Sequence, residues 1–130
     1  MDANEQSRES RPARILVLED DLLNAFLIED TLRFAGHRIV GPAKTIPQAL
    51  MLLDDRQVDA AVLDFQIDDE VSFEVGQKLD ELGIPWAITT AHARNFVTPQ
   101  ISHVPLLIKP FTVGELLTLV EALVDTQMSV

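Results

Sequence analysis

The sequence predicts an α/β fold in which a doubly wound parallel sheet of five strands has helices on both faces. Three observations lead to this prediction. Short aliphatic and β-branched runs alternate along the chain with longer segments of helical spacing, as in parallel α/β sheets. The runs are apolar almost throughout, as expected for strands covered on both sides. Residues that favour helix starts and stops separate the two kinds of segment.

The first half of the chain shows this alternation most clearly. Residues 14–18 read RILVL and end at an acidic stretch. Asp21 is a suitable N-cap for the following helix, and Gly36 suits its C-terminal end. Thr45 and Gln48 have the spacing of a capping box that begins a second helix. The predicted strands cover residues 14–18, 37–40, 59–63, 85–89 and 104–108.

The second half continues the pattern with one irregular segment. Ser72 is expected to open a third helix, with Gly83 directly after it. The segment that follows the fourth strand has weak periodicity and contains Pro99, so a fourth helix there should be short or irregular. Thr112 and Glu115 form another capping box, for the last helix. The other predicted helices cover residues 22–35, 45–54 and 72–82.

The 130 residues correspond to a single domain. We expect a mobile lead-in over residues 1–13, the domain over residues 14–126 and a short tail over residues 127–130. The predicted strand order is 2-1-3-4-5, the order of flavodoxin-like sheets. Because no residues follow the last helix to build an output domain, the domain is expected to act alone.

Composition excludes several classes of function. The formal net charge is −11, and the ten Lys and Arg residues are scattered, so a nucleic-acid interface is not expected. The chain has no cysteine, which excludes disulfides and thiolate metal sites and is typical of a reducing compartment such as the cytoplasm. The polar start of the chain is neither a signal peptide nor a membrane anchor.

Polar side chains follow four of the predicted strands directly. Glu19 and Asp20 come after the first strand, Asp64 after the third, Thr90 after the fourth and Lys109 after the fifth. Ligands of open α/β sheets bind outside the carboxyl ends of the strands, so these groups are expected to converge there. Three converging carboxylates repel one another unless a cation lies between them. Mg²⁺ is the natural cation, because it prefers hard oxygen ligands and tolerates a phosphate beside it.

This set of groups predicts an aspartate that accepts a phosphoryl group. A carboxylate nucleophile can form an aspartyl phosphate, and such a transfer depends mainly on positioning and on charge neutralisation. Asp64 is the predicted nucleophile. Lys109 would bind phosphoryl oxygens by its charge, and Thr90 would donate a hydrogen bond to one of them.

The motifs ILVLEDD, AAVLD, ITTA and LLIKPF resemble the receiver domains of bacterial two-component response regulators, over residues 14–126. The resemblance implies that a histidine kinase or a histidine phosphotransfer protein donates the phosphoryl group from a phosphohistidine. It implies no enzymatic activity beyond the domain's own phosphorylation and dephosphorylation. The site residues that it implies are the metal-binding Glu19 and Asp20, the phosphoacceptor and metal ligand Asp64, the backbone carbonyl of Gln66 as a metal ligand, the switch hydroxyl of Thr90, and Lys109 before Pro110.

Three positions depart from the common receiver pattern. Leu106 stands where an aromatic residue usually lies three positions before the lysine, Asp68 stands where a proline is typical, and the irregular segment around Pro99 replaces a regular fourth helix. In these features the chain resembles the stand-alone receivers nicknamed "FAT GUY". His92 lies two residues after Thr90, and we expect it to set the lifetime of the aspartyl phosphate together with Gln66.

Some alternatives stay open at this point. The missing aromatic at Leu106 would also fit a protein-interaction module that is not phosphorylated. A hydrolase of the aspartyl-phosphate type would need an aspartate where Gln66 stands, and flavin binding would need glycines and hydroxyls in the acidic turn after the first strand. The first helix has two apolar lines, one through Leu22, Ala25, Leu32 and Ala35 and one through Leu23, Phe26, Leu27 and Phe34. Either both lines are buried, or one of them docks on a kinase or phosphotransfer partner.

Overall fold

The computed structural model describes residues 12–67, 70–91 and 103–128, with residues 126–128 described for the backbone alone. Its strands are β1 (Arg14–Leu18), β2 (Arg38–Ala43), β3 (Ala60–Asp64), β4 (Gln66–Ile67), β5 (Glu70–Val71), β6 (Trp86–Thr90) and β7 (Leu106–Ile108). Its helices are α1 (Leu22–Phe34), α2 (Ile46–Asp55), α3 (Phe73–Leu82) and α4 (Val113–Met128).

Five of the strands form one sheet in the order β2-β1-β3-β6-β7, and every neighbouring pair in it is parallel. The predicted fold class and strand order are therefore confirmed. The strands at the centre are apolar because both of their faces are covered: every residue of β3 and β6 is buried. Alternate side chains of each strand point to opposite faces.

The two faces of the sheet have separate apolar cores. One core packs α2 and α3 against Leu16, Leu18, Leu63 and Ile88. The other packs α1 and α4 against Ile15, Val17, Val62 and Ala87. Burying this much apolar surface on both sides, at roughly 25 cal/mol per Å², fixes the sheet as a rigid platform for the residues at its edge.

Most helix-start predictions are confirmed in detail. The Asp21 carboxylate accepts a hydrogen bond from Asn24 N–H at 3.0 Å, and Thr45 Oγ1 accepts one from Gln48 N–H at 3.2 Å. The capping box at the start of α4 is reciprocal. Glu115 N–H donates to Thr112 Oγ1 at 3.0 Å, and Thr112 N–H donates to the Glu115 carboxylate at 2.8 Å.

Ser72 precedes α3 as predicted, but its side chain does not cap the helix. Its hydroxyl and its backbone N–H both donate to the carbonyl oxygen of Phe65, at 3.3 and 2.9 Å. These bonds close the loop that contains the small β4–β5 hairpin, which the sequence analysis did not anticipate. Strands of two residues are too short for periodicity to reveal them.

Several boundaries differ from the prediction. Ala13 does not belong to a mobile lead-in: it is fully buried, and its N–H donates to His37 Nδ1 at 3.2 Å. Helix α4 runs to Met128, so residues 127 and 128 are helical rather than part of a tail. The predicted second strand stops too early, because β2 continues to Ala43, and the predicted fifth strand begins two residues too early. The irregular segment around Pro99 and the acidic Asp68 lie outside the described residues.

Candidate functional site

The three acidic residues predicted to converge do so. Strands β1 and β3 pair in parallel with Leu18 opposite Leu63, so Glu19, directly after β1, and Asp64, the last residue of β3, lie side by side at the edge of the sheet. One carboxylate oxygen each from Glu19, Asp20 and Asp64 lies within 4.8 Å of the others. The order of the strands therefore brings Glu19 and Asp64, which are 45 positions apart in the chain, into one acidic cluster.

Lys109 lies against this cluster. Its Nζ donates to Glu19 Oε1 at 2.9 Å and to Asp64 Oδ2 at 3.2 Å. The backbone N–H of Lys109 donates to the carbonyl oxygen of Thr90 at 2.8 Å, which ties the end of β7 to the end of β6. Lys109 and Pro110 are joined by a cis peptide bond. The ammonium group thus balances part of the negative charge at the carboxyl edge of the sheet.

Glu19 is the most deeply buried charged group of the site, with 1% of its surface exposed. Burial raises the pKa of its carboxyl from the usual 4.5 to about 7. The hydrogen bonds from Lys109 and from Asp21 N–H, the latter 3.1 Å long, work in the opposite direction, whereas the nearby Asp64 raises the pKa further. The surroundings of this carboxyl therefore favour its protonated form more than water does.

Lys109 responds to the same environment. Burial alone would lower the pKa of its ammonium, but the hydrogen bonds and negative charges of Glu19 and Asp64 outweigh burial and raise it. The lysine therefore stays positively charged while it sits in a half-buried position. A fixed cation beside Asp64 is what an incoming phosphoryl group needs for charge neutralisation.

The remaining predicted site residues lie at the same edge or outside the described part of the chain. Thr90 is the last residue of β6, the strand beside β3, and is 4% exposed. Gln66 lies two residues beyond Asp64, at the start of β4, with an exposed side chain. The role of its carbonyl as a metal ligand stays a prediction. His92 lies outside the described residues.

Leu106 occupies the position where receiver domains usually have an aromatic residue. It is the first residue of β7 and pairs with Ile88 of β6. Its half-buried side chain packs against the core on the α2 and α3 face. A leucine at this place fills core volume instead of offering a ring that can turn.

Helix α1 has more apolar surface than the core covers. Ala25, Ile28 and Leu32 are buried against the sheet. The line through Leu23, Phe26, Leu27 and Phe34 is exposed, with 90% of Phe34 accessible. Leu22 was placed on the other line by the sequence analysis, but it is 59% exposed and joins the outer side. We call this set of side chains the outer α1 face: Leu22, Leu23, Phe26, Leu27 and Phe34.

The donor set of the acidic cluster fits a hard divalent cation. It offers carboxylate oxygens alone, and Mg²⁺ prefers oxygen ligands in sites that use one or two carboxylates, waters and a phosphate. Burial raises the pKa of Glu19 and the neighbouring carboxylate of Asp64 raises it further, so a divalent cation bound by the cluster would oppose both effects. The cluster can therefore bind a metal ion.

Comparison with known proteins assigns the family. SdrG from Sphingomonas melonis Fr1 is 32% identical, and the match covers 85% of this chain and 95% of that protein with a TM-score of 0.76. The chain belongs to the response regulator receiver domains. No family model matches it.

Two further structures have the same fold at lower identity. The response regulator PhyR from Brucella abortus is 23% identical, with a TM-score of 0.80, and the match covers 98% of this chain and 54% of PhyR. The response regulator TrrA from Thermotoga maritima, solved in complex with Mg²⁺ and BeF, is 22% identical over 85% of this chain and 98% of TrrA, with a TM-score of 0.76.

A curated relative is known from sequence. The uncharacterized transcriptional regulatory protein YbdJ from Bacillus subtilis is 26% identical over 108 residues, which is 80% of this receiver chain. The chain spans about half the length of that relative, since the match covers 47% of it. Within the described residues, no helix has the length and apolar character needed to cross a membrane.

Proposed function

We propose that this receiver domain accepts a phosphoryl group on Asp64 in a Mg²⁺-dependent reaction and acts in two-component signalling. The observation that carries the proposal is the position of Asp64. Its carboxylate ends a fully buried strand, lies 3.2 Å from the ammonium of Lys109 and shares a cluster with two more carboxylates. Strand β3 holds the nucleophile still, and the charges around it match those of a phosphoryl group.

The reaction proceeds by displacement at phosphorus. A carboxylate oxygen of Asp64 forms a bond to phosphorus, and the bond between phosphorus and the imidazole nitrogen of a partner's phosphohistidine breaks. Lys109 offers its ammonium to the phosphoryl oxygens, and the Thr90 hydroxyl donates to one of them. Glu19, Asp20, Asp64 and the carbonyl of Gln66 would hold Mg²⁺, which neutralises charge on the phosphoryl oxygens when it is bound.

We propose that the domain catalyses no reaction beyond its own phosphorylation and dephosphorylation. Loss of the phosphoryl group requires a water molecule beside Asp64. Gln66 follows Asp64 by two residues and His92 follows Thr90 by two residues, so we propose that they control the access of this water. Their substitution by alanine is expected to change the lifetime of the aspartyl phosphate. Unchanged lifetimes in both Gln66→Ala and His92→Ala proteins would contradict this role.

The outer α1 face is the proposed docking surface for the histidine kinase or histidine phosphotransfer protein. Five large apolar side chains on one exposed helix side are typical of a protein-binding surface, and α1 starts beside the acidic cluster that must meet the phosphohistidine. Both partners would be encountered in the cytoplasm. Amide chemical shifts recorded while a phosphotransfer partner is added should change along α1, and unchanged shifts in α1 would exclude this surface.

The signal can leave the domain in two ways. Phosphorylation can alter the binding of a downstream protein, or the domain can drain phosphoryl groups from a kinase that also serves another regulator. A non-phosphorylated interaction module is the second candidate, and Leu106 favours it because the usual aromatic reporter is missing. A module of that kind would not need Lys109 and three carboxylates in one cluster, which is why we favour phosphorylation.

Intact mass measurement tests the proposal. The protein is incubated with Mg²⁺ and acetyl phosphate, and the mass is recorded for the unsubstituted protein, Asp64→Asn and Asp59→Asn. Asp59 is a matched control, because it directly precedes the opposite end of β3, where its carboxylate accepts a hydrogen bond from Arg14 N–H at 2.8 Å. We expect one phosphoryl adduct on the unsubstituted protein and on Asp59→Asn, and none on Asp64→Asn. An adduct on all three proteins, or on none, would contradict the assignment.

A further inference from the structure

Thr89 is a buried polar residue that the site described above does not use. It is fully buried in β6, directly before Thr90. Its hydroxyl oxygen makes no hydrogen bond to any of the described residues. A buried hydroxyl without a partner is costly, because it has lost its bonds to water and gained none in return.

The sheet register places Thr89 beside the phosphoacceptor. Asp64 of β3 pairs directly with Thr89 of β6. Val62 and Ala87, two residues earlier on each strand, both belong to the core on the α1 and α4 face. Since side chains alternate along a strand, Asp64 and Thr89 project from that same face, on strands about 4.8 Å apart.

Lys109 passes over the same place. It follows β7, which neighbours β6, yet its ammonium reaches Asp64 at the end of β3 and Glu19 at the end of β1. Its aliphatic stem must therefore cross the end of β6. Leu107 packs on the α1 and α4 face, so the alternation places Lys109 on the face that also carries Thr89. The Lys109 side chain and the fully buried Thr89 therefore lie on the same face of the sheet edge.

Resting on the phosphorylation proposed above, we propose that Thr89 is a positioning residue for the phosphorylated form of Asp64. In the unmodified protein, Lys109 donates to Asp64 Oδ2, and the hydroxyl of Thr89 has no hydrogen-bond partner in the described part of the chain. A phosphoryl group on Asp64 brings new anionic oxygens that attract the lysine ammonium. The carboxyl oxygen that Lys109 leaves is then taken by the hydroxyl of Thr89, which donates a hydrogen bond to it and fixes the orientation of the acyl phosphate.

This role differs from that of a structural threonine. A threonine that serves only to fill the core would be replaced by the similarly shaped valine without effect on ligand binding. A hydroxyl that gains its partner only on phosphorylation has opposite effects in the two forms of the protein. It destabilises the unmodified form, where it has no acceptor, and stabilises the modified form, where it donates to Asp64. Measurements on both forms separate the two cases.

The test compares Thr89→Val, Thr89→Ser and Ile88→Val with the unsubstituted protein. Ile88 is the neighbouring residue of β6, and its side chain is buried on the opposite face, so Ile88→Val controls for general loosening of the strand. Urea unfolding is measured without Mg²⁺, and binding of beryllofluoride in the presence of Mg²⁺ is followed by amide chemical shifts. Beryllofluoride is a stable substitute for the phosphoryl group.

We expect Thr89→Val to unfold at a higher urea concentration than the unsubstituted protein and to bind beryllofluoride about tenfold more weakly, the effect of one ordinary hydrogen bond to the carbonyl oxygen of the modified Asp64. Thr89→Ser keeps the donor and should restore most of the affinity. Ile88→Val should unfold at a lower urea concentration and bind beryllofluoride as the unsubstituted protein does.

Three results would overturn the inference. Equal beryllofluoride affinity in Thr89→Val and the unsubstituted protein would remove Thr89 from the site and leave the phosphorylation of Asp64 intact. Equal losses in Thr89→Val and Thr89→Ser would show a packing effect. Failure of the unsubstituted protein both to bind beryllofluoride and to gain a phosphoryl adduct would remove the proposed function and this inference with it.

Discussion

The carboxyl group of Glu19 lies in the interior of the protein, 2.9 Å from the ammonium of Lys109 and close to the carboxylate of Asp64. A single ammonium group shared between two carboxylates leaves net negative charge in a buried place. Burial and that excess charge both favour the protonated form of Glu19, which is why its pKa rises to about 7. The site holds its acidic residues close together at a cost in stability.

The pKa of Glu19 predicts a pH dependence of stability in the metal-free protein. In the folded protein this carboxyl titrates near 7, but in the unfolded chain near 4.5. Between these values the folded state binds more protons than the unfolded state, so the contribution of Glu19 to the free energy of unfolding decreases as the pH rises through this window. Urea unfolding at several pH values, with a chelator present, measures it.

Glu19→Gln is the reference for that measurement, because the amide does not titrate while other carboxyl groups stay the same. We expect Glu19→Gln to gain stability relative to the unsubstituted protein as the pH is raised from 4.5 to 7. A stability difference that stays constant across this range would mean that the Glu19 carboxyl titrates as it does in the unfolded chain.

At the scale of single elements, helix α1 has a buried side that packs on the sheet and an exposed apolar side. Its inner side anchors the helix to the sheet through Ile28 and Leu32, which are 1% and 0% exposed. Its outer face leaves large apolar side chains in contact with solvent, which contributes little to the stability of the domain. A helix with this division suits the partner docking proposed above.

Substitutions on the two sides of α1 should have very different effects. Leu32→Ala removes a fully buried side chain and should lower the free energy of unfolding by about 2–5 kcal/mol. Leu23→Gln changes a side chain that is 79% exposed to another good helix former, and its effect should stay within about 0.5 kcal/mol. Urea unfolding of the two variants compares them. A large loss in Leu23→Gln would show that the outer face is needed for folding.

Helix α3 approaches β6 closely because Gly76 has no side chain. A Cβ atom at this position would lie 2.3 Å from the ring atom Cη2 of Trp86. The indole has little freedom to move, since its Nε1–H donates to the Asp80 carboxylate at 2.8 Å and its ring makes an edge contact with His103. The contact between α3 and the sheet therefore depends on this glycine.

Gly76→Ala should lower the free energy of unfolding by about 1–3 kcal/mol through overpacking. Gly114→Ala is the matched control: it also lies in a helix, and the nearest atom to its added Cβ is Thr112 Oγ1 at 3.9 Å. Gly114→Ala should be neutral or stabilising, because alanine is the better helix former. Thermal unfolding followed by the fluorescence of Trp86, the single tryptophan of the chain, reports both variants. Equal stabilities would mean that α3 can shift away from the indole without cost.

The sequence predicts the regular elements well, for identifiable physical reasons. The apolar runs of β1 and β3 are consistent with strands covered on both faces. The caps at Asp21, Thr45 and Thr112 depend only on neighbouring residues. The β4–β5 hairpin was not predictable, since its strands have two residues each and the bonds from Ser72 to Phe65 that close the loop join residues seven positions apart. The exposure of Leu22 was also missed, because helical spacing cannot show how wide a strip of α1 the sheet covers.

At the scale of the whole molecule, the parallel sheet is what made the site predictable. All five strands point the same way, so residues that directly follow different strands must meet at one edge. This rule brought Glu19, Asp20, Asp64 and Lys109 together correctly. The burial of Glu19, and the absence of a hydrogen-bond partner for the Thr89 hydroxyl among the described residues, were not predictable, because they depend on how side chains distant in sequence pack at the sheet edge.

The net charge of −11 is also a property of the whole molecule. It favours cations and basic partner surfaces and opposes the approach of anionic phosphoryl donors. The phosphorylation proposed above brings more negative charge to Asp64, so it would need positive charge from Lys109 and a divalent ion at the site. The proposed dependence of phosphorylation on Mg²⁺ follows from this need for charge balance.

The most direct measurement is the extent of phosphorylation of the unsubstituted protein by acetyl phosphate, with Mg²⁺ in one sample and a chelator in the other, with the modified residue located by peptide mass spectrometry. We expect a phosphoryl group on the peptide that contains Asp64 in the presence of Mg²⁺, and almost none in the presence of the chelator. Equal phosphorylation in both samples, or a phosphoryl group on another residue, would contradict the Mg²⁺-dependent acceptance of a phosphoryl group by Asp64.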